Sequence, residues 1–198
     1  MKFQYNKTAL QELEKQLKVR VRALPTIKNK EAALRVEVKR ARNDVAELEK
    51  QLSHKKAEYE KFVRIWGEFD ETLLSVKELQ LSSKKVAGVK IPQLEKIVFE
   101  TKEFSLFNLP QWFPAGIEIL KELTTKAMER EVMHRKSELL YQARKKTTQK
   151  VNLYEKVQIP GYQDAIRKIK RFLEDEENLS KSSQKIVKNR QQEQEVMA

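Results

Sequence analysis

No cysteine occurs in the chain, which excludes a disulfide framework and a thiolate metal site and fits a reducing cytosolic setting. Glycine occurs only four times and proline five times, while 35% of the residues are charged. An ordinary globule with many turns is a poor match to that balance, and long helices are a better one. Nowhere do about eighteen apolar residues follow one another, so no membrane-spanning helix is expected. The leading residues, Met1 to Asn6, have no apolar run behind them, and no secretory signal is read there. Any membrane connection is therefore expected to go through a partner.

The materials for catalysis are equally sparse. There is no glycine-rich loop ending in Gly-Lys-Ser or Gly-Lys-Thr, the pattern that cradles phosphates. His54 and His134 are the only histidines, and neither stands in a spacing that makes a metal site. Carboxylate pairs are numerous, but a heavily charged helix surface carries them without any acid–base role. No catalytic, cofactor-binding or metal-ligating residue is expected, and no cofactor.

What the chain does have is a long apolar seam. On a seven-residue grid, one column reads Leu10, Leu17, Leu24, Glu31, Val38, Val45, Leu52, Tyr59, Trp66 and Leu73. The second reads Leu13, Arg20, Ile27, Leu34, Ala41, Leu48, Lys55, Phe62, Phe69 and Val76. Only Arg20, Glu31 and Lys55 interrupt it. A stripe held in phase that long needs a partner helix along its length, and such a pair spans roughly 100 Å at about 1.5 Å per residue. Asn6 to Thr8 offer short polar side chains for the helix start. Pro25 interrupts the stretch; either it kinks one helix, since the phase passes unbroken from Leu24 to Ile27, or a short first helix ends there. Gly67 falls within the same stretch. The aromatic residues Tyr59, Phe62, Trp66 and Phe69 read as wide core packing rather than as a base-stacking platform.

Between Ser82 and Gly116 the texture changes, with three of the five prolines and two of the four glycines. Lys85 to Pro92, Lys96 to Glu100 and Glu103 to Phe107 alternate, which predicts a short β-hairpin or two at the tip of the rod. Asn108 to Pro114 reads as a rigid apolar connection, its aromatics either a contact site or packed on Trp66 and Phe69. From Ala115 a looser apolar stripe through Ile117, Leu120, Leu123, Ala127, Val132, Leu139, Leu140, Ala143 and Val151 predicts the return helix, continuing past a kink at Pro160 through Tyr162, Ile166, Ile169 and Leu173. Glu174 to Glu177 read as a solvated acidic face, and Gln191 to Ala198 as an end that frays. The expected fold is thus mainly all-α: a long antiparallel two-helix coiled coil with a hairpin-containing turn-round. Its parts are residues 1–80, 81–114 and 115–198.

The formal charge is +12, but acids are interleaved with bases, as in Glu12-Leu13-Glu14-Lys15 and Glu47-Leu48-Glu49-Lys50. Mixed signs are what exposed coiled-coil faces carry. A basic coiled-coil scaffold for nucleic acid or anionic lipid is the alternative reading.

Three segments carry a family resemblance. Thr26-Ile27-Lys28-Asn29-Lys30-Glu31-Ala32-Ala33-Leu34 is similar to Leu-Leu-Lys-x-Lys-Arg-x-x-Leu, and Val86-Ala87-Gly88-Val89-Lys90-Ile91-Pro92 to Val-Ala-Gly-Val-x-x-Pro. Lys150-Val151-Asn152-Leu153-Tyr154-Glu155-Lys156-Val157-Gln158-Ile159-Pro160 resembles Arg-Val-Asn-Ala-Leu-Glu-x-x-x-Ile-Pro, the most specific of the three. All belong to the central-shaft D subunits of V-type and A-type rotary ATPases. Glu31 stands where that family usually has a basic residue, Lys150 replaces an arginine, and Ala23 with Pro25 replaces a helical stretch that often carries glycine. The resemblance implies a non-catalytic rotor axle that transmits torque between the catalytic hexamer and the membrane ring that carries protons or sodium ions. It implies as partners the catalytic and regulatory subunits of the hexamer, the small F subunit of the central stalk and the socket subunit of the membrane ring, with no nucleic acid and no direct membrane insertion. The implied location is cytoplasmic, peripheral to the membrane through the complex. Exposed bases such as Lys39, Arg40, Lys145 and Lys146 are expected to slide against an acidic bearing, because exposed ion pairs bind weakly, about 0 to 1 kcal/mol each.

Overall fold

In the computed structural model, residues 3–60, 66–103, 105, 107 and 110–196 are described. The first helix, α1, spans Lys7–Glu60. Asn6 caps it: its Oδ1 accepts from the Ala9 N–H at 2.7 Å, and its carbonyl from the Leu10 N–H at 3.1 Å. That satisfies donors an open helix end leaves unpaired. Pro25 lies inside α1 and does not end it, so a short first helix does not form.

The chain groups into two compact units, one made of the residues up to Asn29 with those from Thr147 on, the other of Lys30–Lys146. In each, α1 lies antiparallel to the return segment, since pairing partners fall in number as α1 rises. In the first unit Glu14 pairs with Lys170 at 2.9 Å, Arg20 with Gln158 at 2.8 Å and Lys28 with Glu155 at 2.7 Å. In the second, Glu31 meets Arg144 at 3.5 Å, Arg42 lies over the Tyr141 ring at 5.0 Å and Lys55 pairs with Glu122. Both seam columns are buried or half-buried from Leu10 to Tyr59; Phe62 lies outside the described residues.

Beyond Trp66 the seam phase stops. Gly67 lies in a turn rather than inside a helix, and Asp70 accepts the Thr72 N–H at 2.9 Å to cap a single 3-10 turn, Glu71–Leu73. Leu73 is buried in that turn, whereas Val76 lies in a strand and is exposed. Residues 74–80, expected to finish the first helix, are therefore β: a short carboxylate cap closes the turn and the alternating sequence after it favours a strand.

The turn-round holds one hairpin of two 13-residue strands, β1 (Leu74–Val86) and β2 (Val89–Thr101), longer than the short hairpin expected. Register shifts leave Lys77 of β1 and Glu95 of β2 as extra residues. Such bulges add local twist and charge, which blunt a free edge. In a two-stranded sheet both strands are edges, so Pro92 is tolerated in β2. Ala87 and Gly88 turn the chain with φ of 49° and 78°, the pair of left-handed residues that matches strand twist. The turn does not sit at the far end of the helices. Val86, Ala87 and Val89 pack on the buried cluster of Leu34, Val38, Ala41, Ile91 and Leu140, beside Ala143, because apolar residues at the turn have a half-open seam to cover. Glu103, Ser105 and Phe107 are not in strands; Phe104, Leu106, Asn108 and Leu109 lie outside the described residues.

The return helix α2 spans Phe113–Asn152, followed by a π-helical turn, Leu153–Gln158, and then α3, Ile159–Val196. Pro160 has no N–H to give to the carbonyl four residues back. Just before it the ladder steps out by one residue, the Ile159 N–H donating to the Tyr154 carbonyl, as in the π-bulges that interrupt α-helices. Helical backbone thus passes Pro160, as the periodicity predicts. At Gly161, next in α3, an added Cβ would meet nothing within 4 Å. Gly161→Ala is accordingly expected to raise stability by about 0.5–1 kcal/mol, the usual difference between the two residues in a helix, read from the thermal unfolding midpoint. On α3, Tyr162, Ala165, Ile166 and Ile169 form the buried face. The Tyr5 ring packs at 5.0 Å on Phe172, with Phe3 5.5 Å from Tyr5. Of the expected frayed end, residues 191–196 are helical, and Met197 and Ala198 lie outside the described residues.

Candidate functional site

The three residues that break the apolar seam turn out to be its most elaborated contacts. Arg20 sits half-buried, and its Nε donates to Gln158 Oε1 at 2.8 Å while Nη1 donates to the Gln16 carbonyl at 3.1 Å. Its guanidinium also lies 4.6 Å from the Tyr162 ring centre and 6.0 Å from that of Tyr154, distances at which a ring face attracts a cation. Two of these partners, Tyr154 and Gln158, come from the π-turn. Lys28 reaches the same turn through Glu155.

Glu31 is 8% exposed. Both its oxygens accept from Arg35 Nη2 at 3.1 Å, and Arg144 approaches from α2 at 3.5 Å. A carboxylate taken out of water needs such donors, or burial would cost more than the seam gains. Here Glu31, an acid where the resembled family usually carries a base, lies between two arginines. Lys55, the third interruption, pairs with Glu122.

The hairpin supplies a second surface. Beside it a groove of about 540 Å³ is lined by Leu48, Ile91, Leu94, Val132 and Met133, with Lys84, Lys136, Glu37 and Glu129 at its polar positions. Lys85 and Lys90 stand directly opposite one another across the strands, a like-charge pair that costs stability. The aromatic residues pack on one another: Trp112 lies 5.3 Å from Trp66 and 6.0 Å from Phe69, and Phe113 stacks on Phe69 at 5.2 Å. Of the two readings of the 108–114 connection, packing on Trp66 and Phe69 is the one observed.

Reactive groups do not converge among the described residues, where no cluster of three or more acids and histidines is placed to hold a metal. His54 is exposed beside Glu58 at 3.5 Å, and His134 lines a cavity of about 230 Å³ with Arg42, Ser137 and Tyr141. Two carboxyls titrate below their ordinary range. Asp70 is held down first by the Thr72 backbone N–H, and Glu177 by its hydrogen bond from Lys181. Both are local features of exposed chain. Lys39, Arg40, Lys145 and Lys146 are all exposed, and Arg40 pairs with Glu37 at 3.3 Å. No helix among the described residues is long and apolar enough to cross a membrane.

Sequence reasoning identified the seam but not the cross-helix partners of its polar members, nor the π-turn. A signal for the latter was available: Leu140 and Tyr162 are both buried, yet their separation is one residue more than whole heptads allow.

A family model described as the D subunit of ATP synthase matches residues 9–189. The V-type ATP synthase D subunit of Borreliella burgdorferi is 31% identical over 192 residues, covering 95% of this chain and 94% of its own length. Proteins of the same description from Chlamydia pneumoniae and Chlamydia muridarum are 28% and 29% identical, over 82% and 84% of this chain and 81% and 85% of theirs.

Proposed function

Since the chain belongs to the family of ATP synthase D subunits, we propose that it is the non-catalytic central axle of a V/A-type ATPase, transmitting torque between the ATP-processing hexamer and the membrane ion-translocating ring. The observation that carries this reading is the antiparallel helix pairing, maintained in each compact unit with its polar interruptions satisfied. An axle must resist twist along its length. Two helices packed side by side through interlocking side chains do so better than one, because close-packed interiors are barely compressible.

The partners in this reading are the catalytic and regulatory subunits of the hexamer, a small central-stalk subunit and a socket subunit on the membrane ring. The chain is peripheral to the membrane through that complex. The lysine- and arginine-rich faces suit a bearing with acidic walls, since single exposed ion pairs are weak and exchange readily.

The test is purification from native membranes through a tag on the full chain, with co-purifying subunits identified; their absence would sink the axle. Within the assembled complex, reversing Lys39, Arg40, Lys145 and Lys146 to glutamate is expected to lower coupled ion pumping on the order of tenfold, if each lost contact is worth a few tenths of a kcal/mol. Unchanged pumping would remove the electrostatic bearing. The net charge of +12 favours one other reading, a scaffold for nucleic acid or anionic lipid, which requires affinity of the isolated chain to fall steeply with salt.

A further inference from the structure

Apolar seams repeat, and repetition is ambiguous. Sliding one helix past its partner by a heptad returns leucine and valine to leucine and valine, so greasy contacts alone leave register weakly specified. The displacement is about 10 Å for seven residues. Something in the sequence has to choose.

We propose that Arg20, Glu31 and Lys55 form a register code: three polar seam positions, unequally spaced and alternating in sign, that find partners together in one antiparallel alignment only. The assignment concerns how this chain aligns with itself and stands apart from any role in rotation. In the observed alignment Arg20 meets Gln158 and Tyr162, Glu31 meets Arg144, and Lys55 meets Glu122. Counting along the sequence, a heptad slip in one direction sets Arg20 against Ala165, Glu31 against Val151 and Lys55 against Glu129. In the other direction Arg20 faces Val151 and Glu155, Glu31 faces Ser137 and Lys55 faces Ala115. Either slip therefore takes Arg144 from Glu31, leaving it only Arg35 of its own helix. The first direction also strips Arg20 of its polar partner and the second strips Lys55 of Glu122, and a charge drawn into the seam is unfavourable without its partners. Single polar residues at such core positions specify alignment at some cost in stability. Three of different character exclude slips that one would permit.

The absence of native cysteine makes the test direct. Glu14 and Lys170, paired at 2.9 Å and each about half exposed, become cysteines in the full-length chain, and a short bismaleimide joins them if the register is native. Glu14→Cys with Gln163→Cys, or with Glu177→Cys, reports a heptad slip in either direction. With the natural seam, only the native pair is expected to cross-link efficiently. In the Arg20→Leu, Glu31→Leu, Lys55→Leu background the slipped pairs are expected to rise at least tenfold, with some chains pairing as dimers by light scattering. The exchange Lys55→Glu with Glu122→Lys is expected to keep the native pattern. The proposal is overturned if the leucine variant stays monomeric and cross-links only the native pair. It is equally overturned if that variant loses its helical circular dichroism, because apolar groups on the seam would then be failing to hold the helices, or if the exchanged pair shifts register.

Discussion

Truncating Leu140 to alanine is expected to destabilise the chain by about 2–5 kcal/mol, the range for a fully buried leucine whose surroundings cannot collapse into the space left. Leu140 is 0% exposed, and around it lie Leu34, Val38, Ala41 and Ile91, with the hairpin residues Val86, Ala87 and Val89 against the same cluster. The loss falls on two things at once, because this cluster joins α1 to α2 and also seats the hairpin turn. Denaturant unfolding of the full chain should show an earlier midpoint with little change in slope. Trypsin should cut faster after Lys84, Lys85 and Lys90, which flank the turn. The control is Val36→Ala, at 52% exposure on α1, where a change within about 0.5 kcal/mol is expected. Equal effects at the two positions would mean that the cluster is not the core of this unit.

Gly116→Ala should disturb the aromatic cluster where α2 begins. A Cβ built on Gly116 would stand 2.8 Å from Trp112 Cζ3 and 3.1 Å from its Cε3, with Trp66 Cη2 at 3.4 Å. An indole is rigid, so the ring must move as a whole, and Trp112 is already wedged against Trp66, Phe69 and Phe113. Overpacking of this kind costs about 1–3 kcal/mol. The readout is direct, since Trp66 and Trp112 are the only tryptophans in the chain and intrinsic emission reports on this cluster alone. A shift in emission maximum is expected together with the lower midpoint. An unshifted spectrum would show that the indole has room to spare.

How far the sequence could be read followed from how local each determinant is. Seam burial was legible because the heptad period is a property of one helix: Leu10, Leu24, Val38 and Leu52 declare their face without reference to the partner. The meaning of Arg20, Glu31 and Lys55 was not legible, since Gln158, Arg144 and Glu122 lie more than a hundred residues away from the first two and over sixty from the third. The strands were visible as alternation around Val86 and Ile97. Their length was hidden because Lys77 and Glu95 are bulged, and each bulge breaks the alternation that a strand is recognised by. That the turn seats on Leu34 and Leu140 depends on which seam residues the helices leave uncovered. Gly67 and Asp70 were weak punctuation for the end of so strong a periodic run. The surface bases were legible as single residues, but what faces them was not, because the groups they would meet lie outside this chain's own sequence.

The π-turn has a further consequence for what lengths this chain tolerates. Material can be added to or taken from the paired segments only in sevens and from both partners together, or the facing stripes rotate and the polar pairs lose their register. At Leu153–Gln158 the rule differs, because the turn already accommodates one surplus residue. Deleting an exposed member of it, such as Lys156, would convert the wide turn to an ordinary one and leave Tyr162, Ile166 and Ile169 directed at α1. A gap of one in related sequences is therefore permissible here and disruptive elsewhere along the pair.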